Sequence, residues 1–323
     1  MDLRTVLREA LKELDETRPL SPGKVVRASG FAEVCPREEV LIAETSLVRT
    51  RARDADNLLT LALGHGMHYA LQNHVLPRVG VLYGVWRCQH CAVLVGAPPE
   101  AEPFRVEEGV PPVSLETFLT LRPLQCPSCG SPDRCPRCAR ASDPCLSCQE
   151  KGWQYKELHF ESVEYGIGGH PDGFLRLDGM PGLGLLEIKS TGRPFEVRQA
   201  PYVAHAIQVQ IYLWFTGLQW AKVLYWSKGD WGMKALIEHT IHRDEETIRS
   251  IQDALASLWT GLEGGPLPRR ICAVETAPRA VTCACARACF ARPDAPEPEP
   301  SPEPAEDFEG PPPLDEHLAG DIF

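Results

Sequence analysis

Residues 168–190 read GGHPDGFLRLDGMPGLGLLEIKS, and this stretch decides the fold. It contains two short apolar runs, DGFLRLDG and GLGLLEIKS, and each predicts a strand. Asp172 stands where the first strand turns. Glu187 and Lys189 stand one residue apart on the second, so alternation puts them on the same face. An adjacent strand can bring Asp172 beside them. Two carboxylates and the backbone carbonyl of Ile188 make a hard oxygen site of the kind Mg²⁺ or Mn²⁺ takes. A lysine beside it would orient a water or offset charge on a phosphate. An E-x-K pair is by itself usually a solvated surface ion pair. Here Leu185, Leu186 and Ile188 predict a mostly buried strand, where paired charges need a reason.

Working outward, a helical pattern covers about 197–217 and puts His205, Gln208 and Tyr212 on one face at i, i+3 and i+7. Val209, Ile211 and Leu213 fill the other face. The strand AKVLYWSK follows, then a helix near 243–262. Upstream, 54–76 reads as a helix carrying His65 and His68, and ELHFESVEYGI supplies further strands. This order predicts a mixed α/β core interrupted by a small cysteine-bound module.

Gly169-x-x-Asp172, Glu187-x-Lys189 and His205-x-x-Gln208-x-x-x-Tyr212, preceded by Gly64-x-x-x-His68, occur in an order and spacing that resemble the RecB-like branch of the PD-(D/E)XK nuclease superfamily. The resemblance spans roughly residues 26–75 and 155–290. It implies a restriction-endonuclease-like α/β core and metal-dependent hydrolysis of DNA phosphodiesters. Carried over by position, His68, Asp172, Glu187 and the Ile188 carbonyl would hold Mn²⁺ or Mg²⁺. Lys189 would assist the water, and Gln208 and Tyr212 would position DNA or the metal site. His65, a neighbour of His68, has no assigned role. His170 and His205 are equally readable as satisfied structural histidines.

The chain has 13 cysteines, an odd number, and opens on a charged stretch without a signal-peptide core, so metal binding is the leading use of its thiols. Eight form four C-x-x-C knuckles: Cys88 with Cys91, Cys126 with Cys129, Cys135 with Cys138, and Cys145 with Cys148. Four knuckles supply two Cys₄ zinc sites, most simply by joining the first two and the last two, although crossed pairing is open. Trp86, Arg87, Arg134, Arg137 and Arg140 in this segment could touch DNA or be merely solvated. The other five are Cys35, Cys272, Cys283, Cys285 and Cys289. Their distribution resembles the iron–sulfur clasp of AddB and of CRISPR-associated RecB-like nucleases. That resemblance implies a [4Fe–4S] cluster on Cys35, Cys272, Cys283 and Cys289, with Cys285 the rival for the third position. A third zinc is the alternative, since thiolates serve either metal.

Forty-three per cent of the chain is apolar, enough for a sizeable core, and no run approaches the ~18 residues of a membrane span. The formal charge of −11 is uneven. Residues 293–323 hold ten acidic side chains, nine prolines and no Lys or Arg, which leaves a nearly neutral body that does not exclude nucleic acid. The expected organisation is therefore a helical part of the nuclease domain with the first cluster cysteine (1–83), a zinc-binding insertion (84–150), the nuclease core (151–271), an iron–sulfur segment (272–292) and a disordered acidic, proline-rich tail (293–323). Ile322 and Phe323 end that tail and would suit a replication or recombination partner, although a solubilising spacer explains it as well. The expected function is a cytoplasmic, metal-dependent exonuclease on single-stranded DNA or DNA ends, acting in recombination, repair or CRISPR adaptation, alone or inside a complex. The alternative is an inactive nucleic-acid-binding or scaffold protein of the same fold.

Overall fold

The computed structural model describes residues 26–45, 55–97, 103–107, 110, 112, 114–131, 152–228, 230 and 232–294. Four of the expected zinc ligands, Cys135, Cys138, Cys145 and Cys148, lie outside the described residues, so the second expected zinc site has no counterpart among them. Arg134, Arg137, Arg140, Ile322 and Phe323 lie outside them too.

Twelve strands occur among those residues. In chain order they are β1 (Val26–Arg27), β2 (Leu82–Tyr83), β3 (Val85–Cys88), β4 (Leu94–Val95), β5 (Phe104–Arg105), β6 (Trp153–Lys156), β7 (Phe160–Ser162), β8 (Ile167–Gly169), β9 (Gly173–Leu175), β10 (Gly184–Thr191), β11 (Trp220–Ser227) and β12 (Leu236–His242). The helices are α1 (Pro36–Thr45), α2 (Ala55–Ala70), α3 (Val203–Thr216), α4 (Glu245–Leu262), α5 (Pro278–Thr282) and α6 (Ala286–Ala291). A π-turn over Leu71–Val75 and a last turn over Leu76–Val79 continue α2.

The central sheet runs β12-β11-β10-β9-β2. β9 and β10 are antiparallel, whereas β10 and β11 are parallel, so the chain must cross over between them, and α3 is that crossover. α3 stops where Gly217 takes a left-handed backbone (φ 69°) and its N–H returns to the Leu213 carbonyl at 2.9 Å. α4 starts at Asp244, whose side chain accepts from the Glu246 N–H at 3.0 Å.

Alternation along β10 divides the core in two. Leu185 packs into a cluster with Val209, Tyr212 and Phe215 of α3, while Leu186 and Ile188 join Leu71, Leu82, Trp86, Tyr155 and Trp220 on the opposite side. Each such apolar side chain contributes about 1.5–3 kcal/mol on burial, which lets the strand carry a charged residue at its centre. The described residues between 84 and 131 are woven into this body: Phe104, Leu115 and Leu119 sit in the main core, and β3 pairs with β6 in a register that sets Cys88 opposite Trp153.

The two ends of the domain are stitched by Arg37 on α1, which is fully buried. It donates to the carbonyls of Pro268 (2.8 Å), Cys289 (3.1 Å), Arg292 (2.9 Å) and Pro293 (3.1 Å), and its Nη1 lies 3.4 Å from Asp294. β12 and the β3–β6 pair are not among the expected strands. β12 is an edge strand with one face in solvent, and its residues, LIEHTIH, give only a weak apolar run. No helix among the described residues is long and apolar enough to cross a membrane.

Candidate active site

The register of the β9–β10 hairpin builds the site. Its last pair is Leu186 with Gly173, so one step further Asp172 faces Glu187. There β9 ends, and the Asp172 carboxylate takes the place of a strand partner, accepting the Ile188 N–H at Oδ2 over 2.6 Å. A strand residue sends its N–H and C=O to the same edge, so the Ile188 carbonyl also leaves toward Asp172. The other oxygen, Oδ1, lies 3.0 Å from Nδ1 of His68 on α2.

Lys189 and Glu187 share a face and meet at 2.7 Å, Nζ to Oε1. Gln208 on α3 donates to that same Oε1 at 2.8 Å and to the Tyr212 hydroxyl at 3.0 Å. Gly169 makes room for Tyr212, since a Cβ there would stand 2.7 Å from the ring. The expected catalytic residues Asp172, Glu187, Lys189, Gln208 and Tyr212 thus line one cleft of about 920 Å³ together with His68. His65, Arg27, Lys156 and a stacked pair of imidazoles, His159 on His170 with centroids 4.3 Å apart, also line it. His205 is instead satisfied structurally: its Nδ1 lies 2.7 Å from the Tyr225 hydroxyl, and burial, aided by Lys189, lowers its pKa to about 4.

One residue escaped the sequence reading. Glu157, just beyond β6, accepts at 2.8 Å from Gln72, whose Nε2 also donates to the Asp172 carbonyl oxygen at 2.7 Å. His68, Glu157 and Asp172 each offer one ligand atom within 4.8 Å of the others, a group that does not include Glu187. Nothing in K-E-L-H-F marks Glu157 against other surface glutamates. Its partner Gln72 is 85 residues away, and no local pattern announces that contact.

The electrostatics show a deficit of positive charge. Burial, reinforced by Asp172 and opposed by Lys189, raises Glu187 to about 8. Burial and the Asp172 charge also raise Glu157. Burial opposes charge on His68, yet its hydrogen bond to Asp172 and the nearby carboxylates outweigh this and raise it. Lys189 is likewise held above its ordinary value, because Glu187 and Asp172 outweigh its burial. Glu187 Oε2 and Gln208 Oε1 are buried with no hydrogen-bond partner. A divalent cation fits such a donor set, since it would satisfy the orphaned oxygen and neutralise the carboxylates.

The described cysteines form two different sites. Cys88, Cys91, Cys126 and Cys129 offer four sulfurs within 4.8 Å of one another, with Cys88–Cys129 at 3.8 Å and Cys91–Cys126 at 3.6 Å. A tetrahedron of ~2.3 Å Zn–S bonds has edges of about 3.8 Å. This pairs the first knuckle with the second. Cys35, Cys272, Cys283, Cys285 and Cys289 surround a separate pocket with Glu38, Arg270 and Arg279. No three of these five come as close together as the first four do. Burial dominates at Cys35 and Cys283, raising the latter to about 11.

No protein-family profile matches the chain, and no curated protein matches it. Among solved structures it is similar to SSO0001 at 14% identity over 80% of this chain and 88% of that one, with a TM-score of 0.37. It is also similar to an alkaline exonuclease (LHK-Exo) from Laribacter hongkongensis, at 14% identity over 80% and 93% and a TM-score of 0.38. LHK-Exo in complex with dAMP matches at 22% identity over 33% of this chain and 58% of that one, with a TM-score of 0.27. Likeness this slight decides neither fold nor chemistry, which rest on the strands and side chains themselves.

Proposed function

We propose that this protein is a metal-dependent deoxyribonuclease of the RecB-like PD-(D/E)XK kind that degrades single-stranded DNA or DNA ends. The observation that carries the reading is the buried carboxylate of Glu187, held by Lys189 and Gln208 on one oxygen and partnerless on the other, in a cleft it shares with Asp172 and His68. A buried, half-satisfied carboxylate is costly unless function needs it.

His68, Asp172, Glu187 and the Ile188 carbonyl would hold Mn²⁺ or Mg²⁺, and a bound ion would supply a more acidic water and charge stabilisation at the scissile phosphate. The chain's own residues do the rest. Lys189, kept protonated by Glu187 and Asp172, places its ammonium where it offsets phosphate charge and orients the attacking water. Gln208 fixes the rotamer of Glu187, and Tyr212 fixes Gln208. Arg27, Lys156 and the two stacked imidazoles offer a polar wall for a nucleic-acid strand.

Zinc on Cys88, Cys91, Cys126 and Cys129 is supported by their tetrahedral spacing. The remaining knuckles, Cys135 with Cys138 and Cys145 with Cys148, would supply a second zinc site, a reading that rests on their sequence spacing alone. An iron–sulfur cluster on Cys35, Cys272, Cys283 and Cys289, or with Cys285 in the set, is supported by sulfurs that ring a pocket yet stand too far apart for one ion. A recombination or replication partner for the acidic tail is part of the same reading. The test is to purify the protein without oxygen and incubate it with end-labelled and circular single- and double-stranded DNA, with Mg²⁺ or Mn²⁺. Cleavage that needs the ion and is lost in Glu187→Gln supports the nuclease. Binding without cleavage supports the scaffold reading instead.

A further inference from the structure

We propose that the turn leading into α3 is a station outside the cleft, where single-stranded DNA stacks a base on Phe195 and lays its phosphates on Arg193 and Arg198. The proposal rests on the nuclease reading for the identity of the strand, but its test reads binding rather than cleavage.

β10 and β11 run parallel, so their carboxyl ends open on the same end of the sheet, where open α/β sheets take ligands. One loop leaves that end to join β10 to α3 through a single 3₁₀ turn, Pro194–Val197, and another joins β11 to β12. The Lys228 N–H of the second donates to the Thr191 carbonyl at the root of the first, at 2.8 Å, so the loops lie side by side. Together they expose Arg193, Arg198, Lys228 and Lys234. The acidic residues described there are Glu196 and Asp230. Glu196 is taken up by Arg193 at 3.2 Å and by the Tyr202 hydroxyl at 2.7 Å, and Asp230 is half-buried. On a body of nearly zero net charge, this is a local surplus of cations.

Phe195 stands among these cations with 70% of its surface exposed, and Val203 at the start of α3 is exposed too. An apolar side chain in solvent needs no explanation on a loose loop. This turn is pinned. The Arg193 N–H donates to Thr191 Oγ1 at 2.9 Å, Arg193 and Tyr202 hold Glu196, and Val197 is fully buried with its carbonyl 2.6 Å from Nε2 of His239 on β12. A fixed backbone therefore presents Phe195 to solvent, which lowers the ordering cost of whatever the ring meets. Cations beside an exposed ring are the recurring parts of a single-strand site: the phosphates go to the first and a base face to the second.

Position supplies the strand. Lys189 and Thr191 share one face of β10, and Lys189 lines the cleft whereas no residue of the turn does. On α3, Val203 lies only about 7.5 Å along the axis from Gln208, which lines the cleft as well. A strand whose scissile phosphate sits by Lys189 reaches the turn within a few nucleotides. Duplex DNA, with its bases paired and stacked, offers Phe195 no free face.

The test is fluorescence anisotropy on full-length protein, with Ca²⁺ in place of Mg²⁺ or Mn²⁺ and a labelled single-stranded oligodeoxythymidylate of about 16 nucleotides, long enough to fill a single-strand groove. Phe195→Ala should weaken binding about 5–150-fold, the loss that follows removal of one stacked base. Phe195→Trp should bind at least as tightly as wild type, and Phe195→Leu should behave like Phe195→Ala. Arg198→Gln should lower the slope of log affinity against log salt by about 0.7, one phosphate contact on a single strand. An abasic site at one position of the oligonucleotide should reproduce the Phe195→Ala loss in wild type and cost nothing further in the variant. Melting temperature checks the fold of each variant. Equal affinity of wild type and Phe195→Ala, wild-type binding by Phe195→Leu, or the same loss on blunt duplex DNA overturns the proposal. Phe195-dependent binding without cleavage in Mn²⁺ leaves it standing and removes the nuclease reading. Cleavage of single strands by a protein whose affinity ignores Phe195 does the reverse, and no binding to the oligonucleotide removes both.

Discussion

Gln208 donates to Glu187 across the interface of α3 and β10, at 2.8 Å, to the same oxygen that Lys189 contacts at 2.7 Å. The crossover helix thereby controls where that carboxylate points. Replacing partners that orient a metal ligand typically lowers metal affinity or activity about 10–100-fold. Gln208→Ala should do so in both Mn²⁺ affinity and cleavage rate, with little change in melting temperature. Wild-type values of both would detach Gln208 from the site.

Asp172→Ala, Glu187→Ala and Lys189→Ala should each lower cleavage by about 10²–10³-fold or more, as removal of a group acting on transition-state charge does. Circular dichroism and metal content of the cysteine sites should stay as in wild type. Full activity in Mn²⁺ from any of the three removes that residue from the mechanism.

Above about pH 6.5, stability should fall with rising pH when divalent ions are absent; below it His205, lowered to about 4 by burial, pulls the other way. Glu187 titrates near 8 in the fold against an ordinary 4.5, so between those values the native state holds a proton that the unfolded chain has lost. That contribution is complete below about 4.5 and is lost as pH rises toward about 8. His68, also raised, acts in the same direction from its ordinary 6.5, and Lys189 changes only far above this window. Saturating Mn²⁺ should flatten the melting temperature between pH 6.5 and 8, and adding it at pH 7 should release protons. Glu187→Gln should remove the Glu187 part of the slope and leave those of Glu157, His68 and His205.

Gly169→Ala drives a methyl to within 2.7 Å of the Tyr212 ring, where β8 passes under α3. Overpacking of this kind costs about 1–3 kcal/mol. Chemical denaturation should show the loss, and displacement of Tyr212 should carry through Gln208 into weaker Mn²⁺ binding. A neutral result would mean that α3 packs less tightly than the strand geometry requires.

The two cysteine sites should separate by element. Anaerobic protein should contain about four irons and two zincs by thiol count. Cys35→Ser should lose the iron and the brown colour while keeping zinc, and Cys88→Ser should lose one zinc and keep the colour. Three zincs and no iron, after expression with iron supplied, would replace the cluster by a third zinc. Because Arg37 ties α1 to the carbonyls of Cys289, Arg292 and Pro293, the iron-free protein should still be folded.

What the residues announced was local. Alternation in LLEIKS placed Glu187 beside Lys189, and helical spacing put Gln208 and Tyr212 on one face, because periods of 2 and 3.6 are imposed by backbone geometry. Glu157 and Gln72 were not legible. Their contact spans 85 residues and depends on β6 pairing with β3 across segment 89–152, which no short-range pattern encodes. β12 was hidden for a different reason: an edge strand needs apolar residues on one face only, and LIEHTIH meets that need with few. Segment 84–150 read as a cysteine-bound island, because the apolar residues it lends to the main core, Phe104, Leu115 and Leu119, are isolated among prolines and acids.

The pairing of Cys88 with Trp153 makes the first cysteine site an alignment key for the cleft. Glu157 lies four residues along from Trp153, and a slip of one residue in this ladder would shift it by ~3.3 Å and turn every side chain of β6 to the wrong face. With β4 and β6 both short, few hydrogen bonds oppose such an error, so an ion held by these thiols would sit where misalignment is cheapest to make. Removing it would then divide the population rather than slow it: correctly aligned molecules would turn over at the wild-type rate, slipped ones not at all. Active-site titration, not the steady-state rate, would count the difference.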